Sequence, residues 1–373
     1  MASIVELPET AGKLGPKERE VFEGIFDVTM SEGRLVIPET FEEQTWRYFS
    51  DKDENGQPVE DRDVVLARLT RQKVVRTFNR WTAEGALFNE LRARRPGVRF
   101  QSEAEKEYVA KHIEQARKGC DFCEPEKQTT DDVFGRIRGR HCTTGANIAK
   151  FDALHGLVFF DEHNPLDFGA EEAADYIETG FAWLRKAHEQ NSEFAYPFFL
   201  WNCLDKSGAS RVHGHAQVLL GRDMHYARVE ILRRAADAYR RSTGRDYFDD
   251  LLAAHDSVGL ALAGGEVRVF VNITPVKEKE TVIISRRPPD QSDDAKAAIW
   301  QVLECMIHKL GVTCFNLAIS MPAIGADDLP YFVRVVDRGS LLKTTSDLAG
   351  MELYGSTVIA SDPYRVVEAL REG

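Results

Sequence analysis

No apolar run in the chain approaches the length needed to cross a bilayer, so no transmembrane segment is expected. The opening residues, Met1 to Thr10, lack a basic stretch followed by an apolar one. No secretory signal is read there, and a cytoplasmic protein is expected. Basic residues are in the minority: 48 Lys and Arg against 60 Asp and Glu give a net charge of −12. A field of that sign excludes a protein that coats nucleic acid through its overall charge. There are only six cysteines, none before Cys120, and a cytoplasmic chain does not use such a set as a disulfide framework. Histidine is absent after His308, so the last part of the chain cannot carry a histidine cluster of its own.

What is present points to a folded protein. Hydrophobic residues make up 43% and aromatics 10%, enough for real cores. A length of 373 residues suits two packed units or one duplicated unit. Residues 1–60 are acidic and polar, with an exposed turn over Asp51–Pro58. From residue 62 to 99 the sign changes, and Arg68, Arg71, Lys73, Arg76, Arg80, Arg92, Arg94, Arg95 and Arg99 gather against the overall charge. Residues 103–118 read as a helix.

Strands are predicted over 155–160, 194–201 and 215–220, with Pro197 marking an edge or an irregularity in the second. Ala173, Tyr176, Ile177, Gly180 and Leu184 share one helical face. Helices are expected over about 226–254. Further strands are expected at 267–273, 281–284, 313–320, 331–336 and 355–360, with a helix over 293–309. The order strand, strand, helix, strand, strand thus occurs twice, near 145–220 and 266–336. Ser361 or Asp362 can cap a closing helix that has Pro363 in its first turn.

Two constellations carry chemistry. His213, His215 and Gln217 alternate, so a strand places all three on one face, neighbours about 6.5–7 Å apart. Imidazole there can ligate metal, act as a base or act as a nucleophile. Cys120 and Cys123 form a Cys-x-x-Cys followed by Glu-Pro-Glu-Lys, which reads as a loop and suits a zinc half-site better than a redox helix. The other ligands could come from His141, Cys142, His155, His163 or His213, and spacing does not choose among them.

These pieces, in this order, resemble the galactose-1-phosphate uridylyltransferase group of the histidine-triad nucleotidyltransferases. The resemblance rests on Cys120-x-x-Cys123, an Asp-Glu-His turn ending at His163, and Asn202-x7-Ser210-x2-His213-x-His215-x-Gln217. Leu91-Arg-Ala-Arg-Arg-Pro96, Gly244–Leu252 and Ala349–Leu353 also fit, for coverage of roughly 80–373. It implies an α+β fold of duplicated histidine-triad-like halves, mainly antiparallel sheets flanked by helices. The corresponding division is an N-terminal extension (1–100), a first half with metal site and nucleophile (101–255) and a degenerate second half (256–373).

The resemblance also implies roles. Cys120, Cys123, His163 and His213 would hold a structural Zn²⁺. His215 would attack the α-phosphorus of a nucleotide donor to give a covalent nucleotidyl-histidine, which a phosphate or phosphate-ester acceptor then resolves. Gln217 would donate to a phosphoryl oxygen, and the Gly214 carbonyl would orient the imidazole. Asn202, Ser210, Arg92 and Arg95 would contact phosphate, aided by backbone N–H groups of residues 207–210. Asn147 and Lys150, with Phe151, would contact the nucleoside. A homodimer is implied by the resemblance alone.

Three departures stand out. Gly214 replaces the usual proline between the histidines, the second repeat lacks histidines, and the polar residue that holds the hexose corresponds to apolar Val358. The missing sugar-site polarity favours an adenylyl donor such as adenylyl sulfate, a dinucleoside polyphosphate or an ADP-sugar. UDP-glucose:hexose-1-phosphate transfer, histidine-triad hydrolysis and a non-catalytic nucleotide-binding protein are the alternatives.

Overall fold

The computed structural model describes residues 2–53, 55–94, 103–262, 264–343 and 348–372. Its strands are β1 (Phe26–Arg34), β2 (Arg71–Asn79), β3 (Gly85–Phe88), β4 (Cys142–Ala146), β5 (Leu154–Phe160) and β6 (Phe194–Cys203), followed by β7 (His215–Arg222), β8 (Arg268–Val271), β9 (Glu278–Ser285), β10 (Phe315–Ser320), β11 (Tyr331–Asp337) and β12 (Ser356–Ile359). The larger sheet has the order β4-β5-β7-β6-β10-β11-β9-β8. Each half contributes four strands in the same internal order, and the two halves meet at β6 and β10. Every pairing in this sheet is antiparallel. The repeated pattern in the sequence is therefore one continuous sheet with an internal two-fold.

The helices Ala170–Gln190 and Asp293–Glu304 link the second and third strands of each half. The long one lies so close to β5 that a Cβ at Gly156 would sit 2.4 Å from Trp183. Only glycine permits that approach. Tyr176 of this helix packs with Phe160, Phe168 and Trp201, stacked on Phe160 at 3.6 Å between ring centroids. Burying large apolar side chains of this kind contributes about 1.5–3 kcal/mol each.

Pro197 lies in the central strand β6, yet locally at an edge. Residues 198–201 pair with both β7 and β10, whereas Pro197 pairs only with β7, next to a register shift at Phe194/Tyr196. The expected helix over 293–309 is α-helical to Glu304 and then forms a π-turn, Cys305–Lys309. Asp362, not Ser361, caps the last helix, accepting from the Tyr364 N–H at 3.0 Å. The Ser361 hydroxyl instead donates to Glu278.

The smaller sheet has the order β1-β2-β3-β12. The last strand of the chain pairs parallel with β3, so both ends of the sequence build this layer. Thr77 donates to the Ile273 carbonyl and Asn79 to the Tyr247 hydroxyl, each at 2.8 Å, tying the layer to the rest of the fold. No helix among the described residues is long and apolar enough to cross a membrane.

Candidate active site and metal centre

The two cysteines flank a single 3₁₀ turn, Asp121–Cys123, while His163 follows β5 and His213 precedes β7. Folding brings these distant points together: the four ligand atoms lie within 4.8 Å of one another. Cys123 Sγ is 3.4 Å from His163 Nδ1 and 3.5 Å from His213 Nδ1, and Cys120 Sγ is 3.5 Å from His213 Nδ1. A tetrahedral Zn²⁺ with bonds of about 2.0–2.1 Å to nitrogen and about 2.3 Å to sulfur needs ligand atoms roughly 3.3–3.8 Å apart.

The outer nitrogens are fixed as well. His163 Nε2 donates to the Ile113 carbonyl at 3.1 Å and His213 Nε2 to the Phe160 carbonyl at 2.8 Å. Both Nδ1 atoms therefore present lone pairs to each other, only 3.2 Å apart. A cation between them removes that repulsion, and backbone partners of this kind set ligand tautomers. Burial holds His213 down to about 4, in the neutral form a ligand needs. Of the five candidates for the remaining ligands, His163 and His213 are brought here. Cys142 lies against Asp175 and His155 belongs to the neighbouring cluster.

His215 opens β7 and is only 5% exposed. Its Nδ1 donates to the His213 carbonyl at 2.8 Å. This corrects the expectation for Gly214, whose carbonyl accepts the Phe160 N–H while its own N–H donates to the His163 carbonyl. With Nδ1 protonated, Nε2 carries the lone pair, and it meets no hydrogen-bond partner among the described residues. Burial lowers the pKa and keeps the ring neutral. Phe122, inside the Cys-x-x-Cys, sets its ring edge-on to both His213 and His215, at 5.9 and 5.3 Å between centroids. The Cys-x-x-Cys turn thus also packs against His215.

Gln217 lies two residues along the same face, and its Oε1 is 2.9 Å from His155 Nε2. Asn147, Lys150 and Phe151 gather around that histidine. Lys150 donates to its carbonyl at 2.9 Å and the Phe151 N–H to its Nδ1 at 3.0 Å. Asn202 ends β6 beside Asn316 of β10, which donates to its Oδ1 at 2.5 Å and to the Ser207 carbonyl at 2.9 Å. Arg338 in turn donates to Asn316 Oδ1.

The loop after β6 starts at buried Leu204 with φ +65° and ψ 173°, a region that costs a non-glycine residue about 1–3 kcal/mol. The N–H groups of Ser207 and Gly208 bond inside this turn, to Leu204 and Asp205. Of the four backbone donors expected over 207–210, those of Ala209 and Ser210 remain, and Ser210 is exposed. Arg92 stands on the short helix Glu90–Ala93 after β3, outside the strands that gather His215, Gln217 and Asn202. Arg95 lies outside the described residues. Arg68 and Arg94 both pair with Glu60, at 3.0 and 2.8 Å.

Sequence reasoning left Phe122 and Asn316 unassigned and treated His155 only as a possible metal ligand. A signal for His155 existed, since it alternates with Leu157 and Phe159 on one face of β5.

The second set of four strands carries different residues at the corresponding positions. Leu157 pairs with Gln217 and Phe159 with His215; correspondingly, Val282 pairs with Arg334 and Ile284 with Phe332. Phe332 therefore occupies the position of His215 and Arg334 that of Gln217. Glu280 stands where His155 does and accepts from Arg334 at 3.1 Å. Glu84 of the N-terminal layer closes over the same guanidinium at 2.9 Å. The pairing geometry is the same, and these positions hold a buried ion triad of Arg334, Glu280 and Glu84.

No protein-family model and no curated protein matches the chain. Its fold is shared with solved structures of a GalT-like protein, an ADP-glucose phosphorylase and uridylyltransferases. Among solved structures, it is similar to an ADP-glucose phosphorylase from Arabidopsis thaliana with bound ADP-glucose, at 17% identity and TM-score 0.58, covering 78% of this chain and 96% of that one. A GalT-like protein from the same organism gives 18% identity and TM-score 0.55 over 68% and 92%. A uridylyltransferase mutant gives 14% and 0.55 over 69% and 95%. At these identities the likeness establishes the fold.

Proposed function

We propose that this protein is a nucleotidyltransferase that moves a nucleoside monophosphate from an anhydride donor to phosphate or a phosphate ester through nucleotidyl-His215. The observation that carries the reading is the state of His215: Nδ1–H is held by the His213 carbonyl at 2.8 Å, so Nε2 presents its lone pair from a buried ring. In the first step Nε2 forms a bond to the α-phosphorus as the bond to the leaving phosphate or sulfate oxygen breaks. In the second, an acceptor phosphate oxygen attacks the phosphorus and the P–N bond breaks, restoring neutral His215. Gln217 donates to a non-bridging oxygen, and Asn202 and Ser210 serve the phosphates. Arg92, Arg95, Asn147 and Lys150 keep the substrate-contact roles that the motif resemblance gives them.

Zn²⁺ held by Cys120, Cys123, His163 and His213 would have four protein donors and no open position, a structural role. It would tie the start of β7 to two distant loops and so fix His215.

The adenylyl lean has local support. Val358, at the position the resemblance gives to a polar hexose contact, is an apolar strand residue paired with Leu87 and offers no polar group to a hexose. The three-part division of the chain and a homodimer belong to the same proposal.

The test is incubation with α-labelled ADP-glucose, adenylyl sulfate and UDP-glucose. Acid-labile, base-stable label on the wild type, absent from His215→Ala, is expected from the adenylyl donors. Label from UDP-glucose alone would overturn the adenylyl assignment, and no label from any donor would overturn covalent transfer.

A further inference from the structure

We propose that His155 is a positioning residue of the transfer reaction: it clamps the Gln217 amide so that the NH₂ group, and not the carbonyl, is left for the phosphoryl oxygens beside His215. The proposal rests on the nucleotidyl-transfer reading above and specifies how its site is held ready.

The problem it answers is chemical. A primary amide has a donor end and an acceptor end of nearly the same shape. Turned one way, Gln217 offers two N–H groups to an anionic phosphate; turned the other way, it offers a carbonyl oxygen that repels it. The sequence contains nothing that chooses between them.

The structure supplies the choice through a chain of bonds that begins at the main chain. The Phe151 N–H can only donate, and it donates to His155 Nδ1 at 3.0 Å. Nδ1 is therefore the bare nitrogen, and a neutral imidazole must carry its proton on Nε2. Nε2 is then a donor, and the Gln217 atom 2.9 Å away must be the acceptor oxygen. The amide nitrogen is left free, with no protein partner among the described residues.

Asn147 does not compete for this role. Its Nδ2 lies 3.2 Å from the same His155 nitrogen, but donor faces donor there, and its Oδ1 already accepts the Ala149 N–H at 3.0 Å.

The clamp is itself rigid. His155 is fully buried, its ring lies 4.6 Å from that of Phe151, and Lys150 bonds to its carbonyl. Burial holds its pKa down to about 4, so the tautomer argument applies throughout the neutral range. The second half offers a comparison within the same chain. At the corresponding pair of positions, the donor and acceptor are exchanged: Arg334 donates and Glu280 accepts. At this pair of positions, the first half leaves the Gln217 amide nitrogen unengaged among the described residues, beside the proposed nucleophile.

Losing one oriented donor at a developing charge costs about 10²–10³ in rate, and a loosened amide keeps part of its effect. His155→Phe, which preserves the ring but neither nitrogen, should slow single-turnover labelling of His215 by about 10–100-fold. The donor KM should move little, and zinc content should not change. His155→Gln, which can still present an N–H to Oε1, should recover most of the rate. His155→Phe should add little to Gln217→Ala, because both remove one unit.

Long-range ¹⁵N spectra of the histidine-labelled protein should show His155 protonated on Nε2. An Nδ1-protonated His155 would overturn the proposal whatever the enzyme catalyses. So would wild-type labelling rates in His155→Phe, or full additivity with Gln217→Ala. If no donor labels the wild type, the transfer reading fails, and the tautomer measurement still decides the clamp.

Discussion

Replacing Gly214 by alanine should injure stability, metal binding and chemistry together, through one methyl group. A Cβ at this position would lie 2.6 Å from Phe160 Cδ2 and 3.3 Å from the Glu162 carbonyl. Ordinary carbon contacts are about 3.5–4.0 Å, so roughly 0.9 Å must be found somewhere. Phe160 is a poor source of it. Its ring is stacked on Tyr176 at 3.6 Å between centroids and is set edge-on to Trp201 at 5.0 Å. The main chain at 213–215 must move instead, and it carries His213 and His215, the proposed metal ligand and the proposed nucleophile.

Overpacking of this kind costs about 1–3 kcal/mol. Displacing a reacting atom by about 1 Å costs about 100-fold in rate. The assays are urea denaturation, zinc content and the initial rate of covalent labelling. Gly24→Ala is the control, because nothing lies within 4 Å of its Cβ, and its stability should stay within about 1 kcal/mol of wild type. Gly214→Pro, the residue usual in the sugar transferases, should be worse than Gly214→Ala. It also removes the N–H that the His163 carbonyl accepts. A Gly214→Ala protein with wild-type stability and labelling rate would refute the steric reasoning.

Other consequences can be measured separately. Arg334→Gln should cost about 3–5 kcal/mol in urea denaturation, since it strands the fully buried Glu280 carboxylate. Zinc should be present at about one atom per chain. Its removal by a chelator should lower the melting temperature and increase proteolysis of the loop at Cys120–Cys123, and Cys123→Ser should do the same. His255 is fully buried and neutral, donating to the Leu251 carbonyl and accepting the Ile273 N–H, and burial lowers its pKa to about 4. The unfolded chain takes up a proton there near pH 6.5, before the folded one does. This group should therefore remove up to about 3 kcal/mol of stability as pH falls from about 6.5 to about 4, and have no effect above that range. His255→Phe, sitting between Phe26 and Phe270, should flatten that part of the pH dependence of the urea midpoint.

Much of the architecture was legible because it follows from local rules. The alternation His213, His215, Gln217 needed only the two-residue period of a strand. The duplicated order of strands and helices appeared as repeated periodicity, and the two cysteines three apart could chelate from one turn. The π-turn after Glu304 was not legible, since a pattern of helical period does not reveal one extra residue in the ring of a hydrogen bond. Nor was the pairing of β12 with β3, because strands more than 260 residues apart share no local signal.

By itself, the sequence determined which donor atoms exist and how they are spaced along each element, and with that the class of chemistry available. The tertiary structure decided their partners. It brought His163, rather than His141 or Cys142, to the cysteine pair, and it gave the His215 Nδ1–H to the His213 carbonyl because the sheet had already taken that of Gly214. It placed His155 beside Gln217 and Glu84 over Arg334. The physical reason is the same in each case. A residue's spacing is fixed along its own strand, whereas the polarity of a hydrogen bond is settled only when an atom from another strand arrives to complete it.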